Sequence, residues 1–464
     1  MMPERFRRQL RQEAETWQAE GLINAALYET LADRYQFTAL EKEASHRFIA
    51  ILMGLGAVLL GLGAITFVAA NWQVWPQAAR VAVLLSTFLG VNGLGFYGWN
   101  RPAETSRWQR LGHGLLLLGA LLLGANLGLM SQMFHQSGDL FELLLVWGLG
   151  VAAMAYSLRI TSLGLFSLLL VGLGYAFSWG RSTVWQEWST TALLIQHMPL
   201  LVAAVFVPLA YWCRSRVLLG FSGLILALSF MANGQLHGIW HQGWLMAVAL
   251  ALPPALLWSY SDRLWRPTTE PDWFAPVLRQ VALWFLGVLF YILSFHSWWQ
   301  YPPPPSDSLT TLWDWPPLLD AAVLSVVTGL GWAQLRYEIL SRRGRAQVIN
   351  SALIALLLVV TVTLLVGQGR LGVMTALGFN VLLFTLAIGL VRDGLTLTQR
   401  STFWGGIVLL VLGIISRSLE YNTGLLFKSM VLAACGVGII AAGLWFERRK
   451  PPQSALSEPS EIGS

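Results

Sequence analysis

The sequence predicts an all-α membrane protein: a polytopic transmembrane helix bundle of about 14 spans, preceded by a short cytoplasmic helical hairpin. Apolar residues make up 55% of the chain and charged residues only 12%, about half of the ~25% charged share of soluble domains. Uncharged stretches of about 20 residues recur along the chain, and a helix of that length crosses ~30 Å of hydrocarbon. The positive charges alternate between the intervening segments, which indicates repeated crossings.

Residues 1–47 form the first predicted domain, the cytoplasmic helical hairpin. Leu10 and Trp17 share one side of its first helix, Gly21 suits the end of that helix, and Asn24 suits the start of the next. Acidic and basic residues are nearly balanced here, so nucleic acid is not an expected partner. We interpret the hairpin as a solvated amphipathic element, with a docking site for another protein as the alternative.

Residues 48–446 form the second predicted domain, the transmembrane helix bundle. Its first span, Phe48–Ala70, carries a stripe of small residues that lets another helix backbone come close in lipid. The glycines predicted to serve such helix packing are Gly54, Gly61, Gly124 and Gly128.

Further apolar stretches complete the predicted bundle, and a polar tail at 447–464 is predicted to be disordered. The stretches near 217–234 and 243–260 are short, and either could be re-entrant. The remaining predicted spans cover residues 78–98, 112–133, 140–157, 161–179, 192–212, 278–296, 318–335, 348–366, 371–391, 402–417 and 426–446.

The distribution of Lys and Arg predicts the orientation of the bundle. With the N-terminus in the cytoplasm, about 25 of the 30 basic residues fall on the inner side and about 5 on the outer side. Anionic lipid and the membrane potential hold positive loops on the cytoplasmic side. We therefore expect an even number of spans, with both termini cytoplasmic. No secretory signal peptide is expected, because the chain starts with about 46 polar, helix-like residues.

Two stretches carry a family resemblance: residues 67–72 at the end of the first span, and the run from Gly124 to Asp139. Both resemble the bacterial family of predicted membrane proteins known as domain of unknown function 2157. The hairpin is similar too, as is the C-terminal region around Arg417 and Lys428. The resemblance implies a multi-span protein of the bacterial plasma (inner) membrane. It implies no established activity, so no catalytic residue follows from it.

The most polar crossing point of the predicted bundle lies between Ser131 and Glu142. Four side chains are the candidate polar site here: Gln132, His135, Asp139 and Glu142. In one continuous helix they would share a face. If Gly138 breaks the chain instead, Asp139 could cap the next helix at its positive end. Ionisable groups at membrane depth often mark a pathway or a proton relay, which is the functional alternative for His135 and Asp139.

Five of the seven histidines lie near the predicted outer ends of spans, namely His135, His197, His237, His241 and His296. His237 and His241 are four residues apart and are weak candidates for a metal site, because no carboxylate accompanies them. We hypothesise that the outer histidines and Asp139 line one shared cavity. No cofactor is expected, and the two cysteines form no disulfide framework.

Two functions remain open at this stage. A transporter or flippase-like carrier is favoured by the number of spans and by polar groups at the outer boundary. It is also favoured by prolines that are predicted to kink their helices, namely Pro199, Pro208, Pro253 and Pro254. The alternative is a non-transporting membrane scaffold or sensor with an N-terminal partner-docking hairpin, since no paired charges stand out at mid-bilayer. An enzyme is disfavoured, because neither a nucleophile–base set nor a nucleotide-binding loop is present. The lipid bilayer is the expected environment in every case.

Overall fold

The computed structural model describes most of the chain, and its described regular elements are all helical, with no strand among them. Contacts divide the chain into two compact units, Met1–Gly90 and Val91–Ser464. The predicted domain boundary at residue 47 and most of the predicted tail lie outside the described residues. The described ranges are 4–35, 59, 66, 70, 74–101, 106–136, 138–179, 189–236, 243–264, 273–299, 316–341, 345–372, 374–396, 399–420 and 424–448.

The chain begins with two short helices, α1 (Glu4–Ala19) and α2 (Ala25–Tyr35), which pack against each other. Gly21 has a positive φ of 72° where α1 ends. The Asn24 side chain accepts a 2.9 Å hydrogen bond from the Leu27 N–H at the start of α2. The predicted helix end and helix start are therefore confirmed, because glycine tolerates left-handed backbone and asparagine caps exposed N–H groups. Ala14 is buried in a small apolar cluster of Leu10, Trp17, Ile23, Tyr28, Ala32 and Tyr35.

Longer apolar helices follow. They are α3 (Gln77–Trp99), α4 (Ser106–Met133), α5 (Leu140–Leu158), α6 (Thr161–Ser178), α7 (Thr190–Gln196), α8 (Met198–Trp212), α9 (Arg216–Leu236), α10 (Gly243–Ser259), α11 (Ala275–Leu293), α12 (Pro316–Ser341), α13 (Arg345–Val366), α14 (Gln368–Leu371), α15 (Met374–Thr396), α16 (Arg400–Glu420) and α17 (Leu425–Arg448).

Ten of these helices are long and apolar enough to cross a membrane. The pair α7 and α8 passes the same test together but is bent by 83° at its break. Shorter apolar segments lie in α10 (Trp244–Ser259) and α17 (Leu425–Ala441). All but three residues of the predicted first span lie outside the described residues. The multi-span helical architecture is thus confirmed, while the total of about 14 spans and the orientation stay predictions.

Many consecutive helices pack closely, such as α5 with α6 and α15 with α16, and one apolar core runs from α4 to α15. Small residues permit the closest approaches. A Cβ on Gly148 of α5 would lie 2.7 Å from Val171 of α6, and the Ser167 hydroxyl donates a 2.7 Å hydrogen bond to the Gly148 carbonyl. A Cβ on Gly394 of α15 would overlap the backbone of Phe403 in α16. Dispersion at such contacts is what holds helices together in lipid.

The ends of α8, α10 and α11 are joined by one carboxylate, Asp262. Its Oδ1 accepts a 2.6 Å hydrogen bond from the Tyr211 hydroxyl, which also lies 2.7 Å from the Tyr260 hydroxyl. Its Oδ2 accepts 2.6 and 2.8 Å hydrogen bonds from the backbone N–H groups of Trp273 and Phe274, just before α11. This end of the bundle is therefore tied by charge-assisted hydrogen bonds.

Arginines and tryptophans are paired at the same end. The Arg159 guanidinium lies 4.2 Å from the Trp212 ring, and the Arg216 guanidinium lies 4.7 Å from the Trp273 ring. Aromatic rings and basic groups together are typical of the boundary between headgroups and hydrocarbon. These contacts indicate that this end of α8 and α9 lies at one membrane surface.

Candidate functional site

The most irregular point of the described bundle is the break between α7 and α8. His197 is the single residue between them, with φ −103° and ψ 33°, and the two helices differ in direction by 83°. Pro199 follows in the first turn of α8, where a missing N–H costs nothing. Because Pro199 has no N–H to donate to the carbonyl four residues back, it disfavours one continuous helix through His197.

A buried carboxylate faces this break. His197 Nδ1 lies 2.6 Å from Asp320 Oδ1, and Asp320 stands in the second turn of α12. Asp320 is fully buried, whereas 26% of the His197 side chain is exposed. Within the described part of the chain, Asp320 Oδ2 makes no hydrogen bond. The pair therefore joins a wholly enclosed acid to an imidazole that reaches the outside.

Neighbouring helices stabilise the break through polar contacts. The Asn233 side chain of α9 donates a 2.8 Å hydrogen bond to the Gln196 carbonyl at the end of α7. Asn233 Oδ1 in turn accepts a 2.6 Å hydrogen bond from the Tyr175 hydroxyl of α6, which lies within electrostatic range of Asp320. Carbonyls at a helix end lack intrahelical partners, so this contact satisfies a group that the break exposes. The ends of α6 and α9 and the start of α12 thus converge on His197.

The predicted polar site around His135 is a turn between two helices. α4 ends at Met133 and α5 begins at Leu140, so the four candidate side chains do not share one helical face. His135 has φ 52°, its N–H donates to the Gln132 carbonyl, and the Gln136 N–H donates to the Ser131 carbonyl. This is the Schellman arrangement, in which the residue after the helix adopts left-handed backbone.

His135→Gly is expected to raise the free energy of unfolding by up to about 1 kcal/mol, and His135→Val to lower it by about as much. Glycine adopts φ 52° without strain, whereas a β-branched residue does not. Thermal unfolding of the detergent-purified protein measures both changes. Equal stability of the two variants would show that backbone conformation does not dictate the residue at this position.

The other three candidates occupy different surroundings. Asp139 stands at the N-cap position of α5 with extended backbone, but its side chain makes no capping hydrogen bond. Glu142 Oε1 accepts a 2.8 Å hydrogen bond from the Thr191 hydroxyl of α7. Gln132 is exposed near the end of α4. Glu142 is therefore the candidate that reaches the broken helix.

Of the remaining predicted residues, the structure describes the two packing glycines of α4. A Cβ on Gly124 would overlap the Trp147 ring of α5, whereas one on Gly128 would only touch Leu143. The Trp147 indole N–H donates a 2.7 Å hydrogen bond to the Ala120 carbonyl, which fixes the ring against α4. Outside the described residues lie Gly54, Gly61, His237 and His241.

The structure does not bring the outer histidines together where it describes them. His197 pairs with Asp320, while the backbone N–H of His296 donates a 2.6 Å hydrogen bond to Glu420. Two apolar cavities, of about 150 Å³ and about 540 Å³, lie between helices, and none of these histidines nor Asp139 lines them. No group of three or more potential metal-ligating side chains occurs among the described residues.

Asp320 is the residue that the sequence analysis missed. It lies near the start of the predicted span 318–335, where an acidic residue is easily interpreted as a boundary group. Asp320 could have been identified from its position inside the apolar stretch. An acidic residue inside a span is rare and marks a candidate functional site.

The regular elements of the described residues are all helical, and ten of these helices are long and apolar enough to cross a membrane, as in a multi-pass membrane protein. Residues 15–164 match a family model described as "Predicted membrane protein (DUF2157)". The resemblance is thus confirmed over the end of α1, over α2 and over the turn at His135, while most of α1 lies outside the matched residues. Arg417, Lys428, His197 and Asp320 also lie outside them. No curated protein and no solved structure matches the chain.

Proposed function

We propose that the protein is a membrane carrier for lipid-like amphiphiles, in which the helix break at His197 moves and the His197–Asp320 pair binds the coupling proton. The observation that supports this proposal is the buried carboxylate at a discontinuous helix. Broken helices form the substrate and ion sites of many secondary transporters, because their free backbone ends and nearby charges meet inside the membrane.

The length of α8 supports a site below the membrane surface. Its 15 residues span only about 22 Å, compared with ~30 Å for the hydrocarbon layer. Its Trp212 end carries the cation–π contact with Arg159 that is typical of one membrane surface. His197, at the other end of α8, then falls short of the opposite surface by about 8 Å.

Protonation gives this pair two states of different charge. Each proton added to the Asp320–His197 pair raises its net charge by one. A net charge at membrane depth costs several kcal/mol unless it is hydrated or paired. Gaining or losing the proton therefore changes the relative free energies of an open and a closed break, which is the coupling that a carrier needs.

The cavities favour an amphiphilic substrate. The larger one, of about 540 Å³, is lined by α10, α12 and α13, and its polar side chains are Ser325 and Thr363 among apolar ones such as Leu358 and Val362. A soluble, charged substrate would leave its polar groups without hydrogen-bond partners there. An acyl chain fits such a surface.

The test is lipid translocation by the full-length protein in liposomes at two pH values. Wild type is expected to move a fluorescent phospholipid between leaflets, and Asp320→Asn to slow this movement at least about tenfold, a barrier change of about 1.4 kcal/mol. Asp393→Asn is the matched control, because Asp393 pairs with Asn350 at 2.6 Å, away from the break. No translocation by wild type, or equal rates for Asp320→Asn, would refute the carrier proposal.

The scaffold or sensor is the second candidate, and the hairpin gives it one observation. Leu22 and Leu27 are 69% and 48% exposed. Leu22 lies in the turn between α1 and α2, Leu27 lies in the first turn of α2, and the backbone N–H groups of both residues are hydrogen-bonded. Two exposed leucines on a small hairpin fit a partner surface. This candidate predicts that a photo-crosslinker at Leu22 captures one protein in cells and that Leu27→Asp abolishes the capture. An unchanged crosslink in Leu27→Asp would count against docking at this surface.

A further inference from the structure

We propose that one phospholipid binds along a groove between α11 and α16, with an acyl chain in the groove and its phosphate on Arg417. The proposed lipid site is distinct from the His197–Asp320 pair and does not depend on the protein being a carrier. It combines an apolar groove with a guanidinium whose Nε and Nη2 make no hydrogen bond within the described part of the chain.

The groove has the chemistry of an acyl-chain site. It holds about 150 Å³ and is walled by Trp284, Gly287 and Tyr291 of α11 and by Gly405 and Leu412 of α16. Its lining is almost wholly apolar, and the Trp284 side chain is 60% exposed. Gly287 and Gly405 deepen the groove, because neither has a side chain to fill it. In a bilayer such a lipid-facing groove is occupied by hydrocarbon.

One end of the groove leads to a buried guanidinium. The Tyr291 ring, which lines the groove, lies 5.3 Å from the Phe295 ring in an edge-to-face contact. The Arg417 guanidinium lies 4.1 Å from the centre of that same Phe295 ring. Arg417 is therefore only one aromatic ring away from the groove.

Arg417 retains two unused donors. Its Nη1 donates a 2.5 Å hydrogen bond to the Ser294 carbonyl and forms an ion pair with Glu420. Its Nε and Nη2 are buried and make no hydrogen bond within the described part of the chain. Buried guanidinium N–H groups without an acceptor are costly, so a further acceptor is expected at this position.

The neighbouring acceptors do not satisfy these two donors. The Ser294 carbonyl accepts a second hydrogen bond, of 2.9 Å, from Asn380, and Glu420 Oε1 accepts one from the His296 N–H. Asn380 Oδ1 and Glu420 Oε2 are buried and make no hydrogen bond within the described part of the chain, so neither accepts from Arg417 Nε or Nη2. An acceptor from outside this cluster would satisfy both donors. A phosphodiester offers two oxygens in the plane that a guanidinium prefers, and a phospholipid places them at the end of an acyl chain.

The experiment is native mass spectrometry of the delipidated full-length protein, titrated with dioleoyl phosphatidylglycerol, with dioleoylglycerol, or with inorganic phosphate. Gly405→Leu places a side chain in the groove, and its Cβ meets nothing within 4 Å, so the backbone of α16 need not move. Gly329→Leu on α12 is the matched control, since a Cβ there also meets nothing within 4 Å and Gly329 does not line the groove. Arg417→Lys keeps the charge but loses the planar geometry.

Gly405→Leu and Arg417→Lys are each expected to weaken phosphatidylglycerol binding at least about tenfold, and Gly329→Leu to leave it unchanged. Dioleoylglycerol is expected to bind at least about tenfold more weakly than phosphatidylglycerol, because it lacks the phosphate. Unchanged binding in Gly405→Leu overturns the groove as the acyl-chain site. Inorganic phosphate binding as tightly as phosphatidylglycerol overturns the assignment to a lipid. The Gly405→Leu comparison decides the proposal even if Arg417→Lys fails to fold.

Discussion

Gly112→Ala is expected to lower the free energy of unfolding by about 2–3 kcal/mol, the range of overpacked cores. Gly112 stands where α4 meets α3 backbone to backbone. A Cβ there would lie 2.7 Å from the Gly98 carbonyl carbon and 2.8 Å from the Gly95 carbonyl oxygen, and would overlap the Trp99 nitrogen. Because backbone atoms cannot rotate away, the two helices have to separate and lose their dispersion contacts.

Gly114→Ala is the matched control on the same helix. A Cβ at Gly114 meets nothing within 4 Å, so the substitution should leave stability within about 0.5 kcal/mol, as for ordinary surface changes. Thermal unfolding in detergent, followed by the fluorescence of the tryptophans, measures both variants. Equal melting temperatures for Gly112→Ala and Gly114→Ala would contradict the close approach of α3 and α4.

Asp262→Ala is expected to cost about 3 kcal/mol or more. It removes three hydrogen bonds to one carboxylate, from the Tyr211 hydroxyl and from the backbone N–H groups of Trp273 and Phe274. Hydrogen bonds to charged groups contribute about 1.5–3 kcal/mol each, and solvent screening at this half-buried site reduces the sum. The loss should also free the Trp273 segment at the start of α11.

Tyr211→Phe separates the contribution of the tyrosine hydroxyl from that of the two backbone N–H groups that Asp262 binds. It removes one of the three hydrogen bonds and leaves both backbone contacts to Asp262, so its cost should be about 1 kcal/mol. Limited proteolysis near residue 270 and thermal unfolding are the two measurements. Cleavage near residue 270 that is no faster in Asp262→Ala than in wild type would argue against the proposed restraint on α11.

Hydropathy located the helices well because it is a local property of the chain. The predicted stretch 140–157 corresponds to Leu140–Leu158, and the stretch 161–179 corresponds to Thr161–Ser178. Most residues of such a stretch are apolar, so hydropathy identifies the helix as a whole. It does not identify the residues at which the helix begins and ends. The predicted start of α16 at 402 is two residues late, because Arg400 is charged yet helical.

The sequence predicted a kink inside the stretch 192–212 but not a break between two helices. Pro199 indicated a kink, and the structure shows an 83° bend at His197. Three other prolines predicted to kink their helices, Pro208, Pro253 and Pro254, lie inside continuous helices. Proline alone thus does not determine a break; the contacts to Gln196 and His197 from other helices do.

Pairing between distant residues was not predictable. Asp320 is 123 residues from His197 in sequence, and a single amino-acid sequence does not indicate that the two side chains are in contact. Arg417 was predicted to lie on the outer side, in the C-terminal region that carries the family resemblance. Neither observation indicates its hydrogen bond to Ser294, which is 123 residues away in sequence. In contrast, an asparagine inside an apolar stretch does indicate a hydrogen bond to another helix, and Asn233, Asn350 and Asn380 make such contacts in the structure.

The shortness of α8 makes the protein sensitive to the thickness of its bilayer. With 15 residues anchored at the Trp212 end, the helix cannot lengthen, and a span shorter than the hydrocarbon layer is accommodated by local thinning of the lipid. Longer acyl chains would place His197 deeper, and shorter ones would bring it nearer to water. Lipid chain length should therefore tune the distance of the helix break at His197 from water, without any change in the protein sequence.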